Sequence, residues 1–160
     1  MSSPTIMYLA QNGMSFSISF LRITLGIVFI ASSVLKIISI KTFAIEVGDY
    51  VDLYLPQWLN GLNMICAVGV CALEFFVGLL AFRKKQVVRM SVLSLLILTF
   101  FVWLTSVNYF FPTVFGSVES CGCFGELIHF TPLSSFIKSV VLWVEASALF
   151  VLVMLDRNNG

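Results

Sequence analysis

Four apolar runs divide the chain, at residues 17–40, 61–82, 87–111 and 133–155. A transmembrane helix needs about 20 predominantly apolar residues, so each run predicts one span. Polar residues gather between the runs and at the two ends. Residues 1–16 read as a short tail with Pro4, Asn12 and Gly13. Residues 41–60 mix the two kinds: Phe43, Val47, Tyr50 and Tyr54 recur at helical spacing, with Glu46, Asp49 and Asp52 between them. That pattern predicts a short amphipathic helix lying in the interface, ended near Pro56, with Trp58 at headgroup depth. Residues 112–132 form a second connection, closed by Thr131-Pro132 as an N-cap followed by proline at the first helical position. Every backbone group in lipid must be bonded within the protein. The expected architecture is therefore all-α: a single four-transmembrane-helix bundle over residues 1–160.

Composition supports lipid as the solvent. Hydrophobic residues make up 59% of the chain and charged ones 11%, against roughly 25% charged in a soluble domain. A net charge of +1 provides no basic face for nucleic acid. The first 15 residues hold no Lys or Arg, and the first apolar run is too long for a signal core, so no cleaved signal peptide is expected. Arg83, Lys84, Lys85 and Arg89 crowd the second turn with no acid beside them. The positive-inside rule places that turn in the cytoplasm. Both termini are then cytoplasmic, and the connections 41–60 and 112–132 share the outer side. In a bacterial inner membrane that side is the periplasm.

Cys121-Gly122-Cys123-Phe124-Gly125 lies in the outer connection 112–132. Outside the cytoplasm, thiols are oxidised or kept redox-active. A bridge between Cys121 and Cys123 closes too small a loop to stabilise the fold. It also needs a tight bend to bring the two Cα atoms within disulfide range, and Gly122 and Gly125 supply the permissive backbone. Strained, exposed disulfides are the labile, oxidising ones, which favours redox exchange over a structural staple. Two alternatives stand beside it: a metal site using Cys121, Cys123 and His129 with Glu126, and a plain turn of small residues. Zinc favours four protein ligands in structural sites, and no second cysteine pair of matching spacing is present.

The remaining candidates are ionisable groups and cysteines within the spans. Lys36 and Lys138 stand near the outer ends of the first and fourth spans, where each can snorkel or favour a thiolate in the loop. His129 and Glu126 are candidates for proton transfer. Cys66, about five residues inside the second span, is a candidate electron relay, although buried cysteine is commonly just a small apolar residue. Cys71 lies about 140° around the helix from Cys66, a poor disulfide geometry. Arg22 and Glu74 fall at similar depths on consecutive spans and are expected to form a structural ion pair. Glu145 has no evident partner at its depth.

Several of these residues together resemble a family. Arg22, Gly26, Phe29, Ser32-Ser33 and Lys36, then Phe43, Tyr50 and Leu55-Pro56, then Glu74 and Gly78 resemble the DoxX-like four-helix membrane proteins. Cys121-Gly122-Cys123-Phe124-Gly125 with Thr131-Pro132, Phe136 and Lys138 resembles the branch that includes the methylamine-utilisation accessory protein MauE. Ser139 follows Lys138 where that branch often carries an acid. The resemblance implies a redox-associated inner-membrane protein working on thiols and disulfides at the periplasmic face, beside thioredoxin-fold proteins, with a quinone as candidate cofactor. Two functions are expected to compete. One is a thiol–disulfide oxidoreductase acting through Cys121 and Cys123 on a thioredoxin-like partner. The other is a non-catalytic small subunit or anchor of a larger membrane complex, with the loop as a docking or metal-binding element.

Overall fold

The apolar runs are helices, because lipid offers their backbone no partner except itself. The computed structural model describes residues 4–54, 62–110 and 132–159, with the side chains of 13–45, 47–48, 62–107, 109–110 and 133–158. It contains α1 (Pro4–Ile38), α2 (Ile40–Tyr54), α3 (Asn63–Leu80), α4 (Val87–Phe110) and α5 (Pro132–Asn159). Among the described residues, four stretches have the length and composition to cross a membrane: Gly13–Ile38, Asn63–Leu80, Lys84–Val107 and Leu133–Asn158. No strand occurs among the described residues.

The start of the first helix differs from the sequence expectation. The helix expected to start at residue 17 begins at Pro4. Proline suits a first helical position, since its missing N–H would be unsatisfied there anyway, and Gly13 costs the helix too little to break it. The mixed segment 41–60 is helical over Ile40–Tyr54, and its continuation to Pro56 and Trp58 lies outside the described residues. The backbone ladder runs through the junction, with the Ser39 N–H on Leu35 O at 3.2 Å and the Phe43 N–H on Ser39 O at 3.0 Å. Phe43 and Ala44 bury against Ala67 and Cys71 of α3. Part of the apolar stripe expected to face lipid thus serves a protein contact.

α3 and α4 are joined by a tight turn. Successive N–H groups of Ala81, Phe82 and Arg83 donate to carbonyls three residues back, at 3.0–3.2 Å, which satisfies groups that a helix end leaves orphaned. One 3₁₀ turn, Lys84–Gln86, then leads into α4.

α1 packs along α3, α4 along α5, and α1 also touches α5. The close approach of α1 and α3 depends on two glycines. A Cβ added to Gly26 would collide with the Ala81 methyl, and one added to Gly78 would lie 2.6 Å from Ile30 Cγ1. Small residues let backbones approach, which replaces the hydrophobic driving force that lipid cannot supply. Leu25, Phe29, Val77, Met90, Leu98 and Leu149, drawn from all four spans, fill the centre. Outward-facing residues such as Phe20, Ile27, Leu96, Phe100, Val141 and Val144 are exposed, as a helix that is hydrophobic all round requires lipid to be.

The hydroxyls of the third span mostly serve their own helix. Ser91, Ser94, Thr105 and Ser106 each donate to a carbonyl three or four residues back, the usual local bond of Ser and Thr in helices. Others cross between helices: Ser33 Oγ donates to the Cys71 carbonyl and Trp143 Nε1 to Thr99 Oγ1, each at 2.9 Å.

Candidate functional site

Lys36 and Glu74 meet in the interior of the bundle. The Lys36 ammonium donates to Glu74 Oε1 at 2.5 Å. Both side chains are 1% exposed. Side chains on a helix lean toward its N-terminus. α1 and α3 run antiparallel, so Lys36 leans down α1 while Glu74 leans up α3, and the two converge. The ammonium also lies 4.7 Å from the centre of the Phe101 ring and 5.1 Å from that of Phe43. Those rings offer a cation the negative faces of their π systems.

The expected Arg22–Glu74 pair is replaced by this one. Gly26 lies against Gly78 and Ala81, which fixes the level of α1 relative to α3. Arg22 is one turn from that contact in one direction and Glu74 is one turn away in the other, a separation of about 12 Å along the axes at 1.5 Å per residue. Arg22 also leans away from Glu74. It is buried near the α3–α4 turn, and its Nε has no hydrogen-bond partner among the described residues. The snorkelling reading of Lys36 is corrected for the same reason: its charge turns into the bundle rather than toward the headgroups.

Beside the pair lies a small cleft between α1, α4 and α5. Its wall includes Phe29 and Ser32 of α1, Glu74 of α3, Phe101 of α4, and Lys138 and Ser139 of α5. The open surface is carbon, and the space is about 30 Å³; a cavity lined in this way stays dry. Lys138 shares this wall with Glu74 and has an interaction of its own.

Cys121, Cys123, Glu126 and His129 lie outside the described residues. The two ends of their connection are held together. Tyr109, next to the end of α4, stacks on Phe136 of α5 with centroids 5.8 Å apart and planes 2° from parallel, and Phe110 meets the same ring edge-on at 5.9 Å. The connection is therefore rooted at the end of the bundle that Lys36 and Lys138 approach, opposite the Arg83-Lys84-Lys85 turn. Cys66 is exposed on α3 and Cys71 is buried, and both are free thiols. Glu145 is half-buried in α5 and has no ion-pair partner among the described residues. Among the described residues no cluster of three His, Cys, Asp or Glu side chains exists that could hold a metal.

These features define a class: a multi-pass helical membrane protein with a buried ion pair near the end of the bundle that carries a long connection. The chain matches the model of the methylamine utilisation protein MauE family over residues 14–155, and it belongs to that family. It is similar to Protein TlpB of Flavobacterium psychrophilum, with 27% identity over 154 residues, a match covering 87% of this chain and 38% of the relative. The chain spans a little over a third of the length of that relative. No solved structure matches.

Proposed function

We propose that this protein exchanges electrons between the Cys121–Cys123 pair and a thioredoxin-fold protein on the periplasmic side of a bacterial inner membrane. The observation that carries the reading is the placing of two thiols, one glycine apart, in the connection rooted opposite the basic Arg83-Lys84-Lys85 turn. The positive-inside rule supports the oxidising side for that connection. Membership of the MauE family supports an accessory role in the membrane.

The exchange is a two-electron transfer. A thiolate of the reduced pair attacks a sulfur of the partner's disulfide and expels one partner thiolate, leaving a mixed disulfide. The second thiol, deprotonated, attacks the loop sulfur of that bond. The Cys121–Cys123 disulfide forms and the second partner thiolate leaves. Two protons lost from the pair match two gained by the partner. The same steps run in reverse when the loop disulfide is the oxidant. His129 and Glu126 are the nearest candidates in sequence to hold those protons.

A Cys123→Ser variant and a Cys121→Ser variant, each expressed in cells and acid-quenched, test the reading. One of them should accumulate a mixed disulfide with a thioredoxin-fold protein that disappears on reduction. Full activity of both variants with no trapped partner would sink it. A second reading, a non-catalytic anchor, is favoured by one observation: the similar TlpB is more than twice as long as the stretch it shares with this chain. That reading predicts co-purification of a partner that survives loss of both thiols.

A further inference from the structure

Arg22 is a buried cation without a counterion. It is 6% exposed, its Nε is buried with no hydrogen-bond partner, and it forms no ion pair among the described residues. A buried lysine or glutamate can shed its charge, but a guanidinium stays protonated. A buried charge is costly unless an opposite charge and hydrogen bonds meet it. The carboxylates of the chain are placed elsewhere. Glu74 is held by Lys36 on the far side of the Gly26–Gly78 contact. Glu145 and the exposed Asp156 on α5 form no salt bridge with Arg22. Residues 1–21 contain no acid, and neither does the turn between α3 and α4.

We propose that Arg22 binds the phosphate of an anionic phospholipid at the end of the bundle that carries the basic turn. Gly26 lies against Ala81, and Arg22 is four residues, about 6 Å, further toward that end. Arg83, Lys84 and Lys85 follow Ala81 within the tight turn, so they share the level of Arg22. Ile18 and Leu25, on the same face of α1 as Arg22, pack in the cluster that holds Ala81, Met90 and Val153. The chain turns back here, where hydrocarbon gives way to headgroups. A helical side chain leans toward the N-terminus, which carries the Arg22 guanidinium further toward the membrane surface. Arg83, Lys84, Lys85 and Arg89 are all exposed. Their charges draw anionic lipid to this face, but solvated side chains hold no single headgroup in place. The buried guanidinium does, because its fork of N–H donors matches two oxygens of a phosphate. Phe20, Ile23 and Phe82 are exposed at the same level, an apolar surface that acyl chains cover and free phosphate does not.

The site is independent of the thiol reading, and a Cys121→Ser/Cys123→Ser protein should behave identically. The test uses the full chain. In dodecyl maltoside micelles supplied with dioleoyl phosphatidylglycerol, native mass spectrometry should show the lipid retained on the chain, well above dioleoyl phosphatidylethanolamine at equal concentration. Arg22→Gln should weaken that retention by about tenfold or more, the size expected for hydrogen bonds to a charged group. Millimolar inorganic phosphate should leave the complex intact. A second measurement needs no substitution at the site's buried cation. Replacing Arg83, Arg89 and Arg157 by Lys keeps every charge and leaves Arg22 the sole arginine. With ¹⁵N-guanidinium arginine in phosphatidylglycerol bilayers, a solid-state ¹⁵N–³¹P coupling should place a lipid phosphorus at hydrogen-bonding range of Arg22. Absence of that coupling, equal retention of the two lipids, undiminished retention by Arg22→Gln, or displacement of the lipid by inorganic phosphate overturns the proposal.

Discussion

Removing the Lys36 side-chain charge while keeping its bulk isolates the buried pair. Two unit charges 2.5 Å apart attract by about 7 kcal/mol at an effective dielectric of about 20. Desolvation costs each ion several kcal/mol, so the pair roughly breaks even against an apolar replacement. Lys36→Met alone is different, because Glu74 is left buried and charged without a cation. Breaking a buried pair in this way costs about 3–5 kcal/mol. The carboxyl has an escape: it can take a proton, which at pH 7 costs an ordinary glutamate about 4 kcal/mol. The predicted loss for Lys36→Met is therefore about 3–4 kcal/mol at neutral pH. Lys36→Met/Glu74→Leu should return to within about 1 kcal/mol of the parent. The loss in Lys36→Met should also shrink on acidification by up to about 1.4 kcal/mol per pH unit, because the folded variant binds one more proton than the unfolded one. Unfolding in mixed micelles with increasing SDS, followed by circular dichroism, reads all of these. A single variant as stable as the parent, or a double variant as unstable as the single, would refute the reasoning.

Other consequences follow from the α1–α3 contact and its neighbours. Gly78→Val should destabilise the bundle by about 1–3 kcal/mol, since even the first added carbon lies 2.6 Å from Ile30 Cγ1 and 3.2 Å from Ile30 N; Gly69→Ala, with nothing within 4 Å of the added carbon, is the control and should be neutral or slightly stabilising in the same assay. Ser33→Ala removes the bond to the Cys71 carbonyl and should cost only about 0.6 kcal/mol, the mean for such bonds between membrane helices; a loss above about 2 kcal/mol would mean that Ser33 supports more than this bond. Phe136→Ala should loosen the base of the cysteine connection by removing the ring that Tyr109 and Phe110 both contact, and faster proteolysis within residues 111–131 would report it.

The spans were legible because lipid makes the signal simple: a run of apolar residues long enough to cross is a helix. The tight second turn was legible for a similar reason, since Arg83, Lys84 and Lys85 interrupt the apolar pattern sharply. The partner of Glu74 was not. Sequence gives depth along each axis only to within a turn or two, and pairing Arg22 with Glu74 used depth alone. Two further facts decide the matter: the close contact at Gly26 and Gly78 sets the level of one helix on the other, and the lean of each side chain decides which charges approach. Gly78 and Gly26 stand in the sequence as small residues, with nothing to say that they meet. Phe43 belongs to an amphipathic stripe, and periodicity does not distinguish a face turned to lipid from one turned to α3. The thiols Cys121 and Cys123 are legible from spacing and topology, two cysteines one glycine apart in the connection opposite the basic turn.

The most direct test of the proposed chemistry is a redox titration of those two thiols. The full-length protein in lipid nanodiscs, with Cys66 and Cys71 replaced by Ala, is equilibrated in glutathione buffers of graded potential and then alkylated with a mass tag. The account predicts that both tags appear or disappear together in a single two-electron transition, at a midpoint within the roughly −270 to −120 mV spanned by thioredoxin-fold exchange proteins. Cys121 and Cys123 that take one tag each at every potential, or a disulfide that never opens in that range, would contradict it.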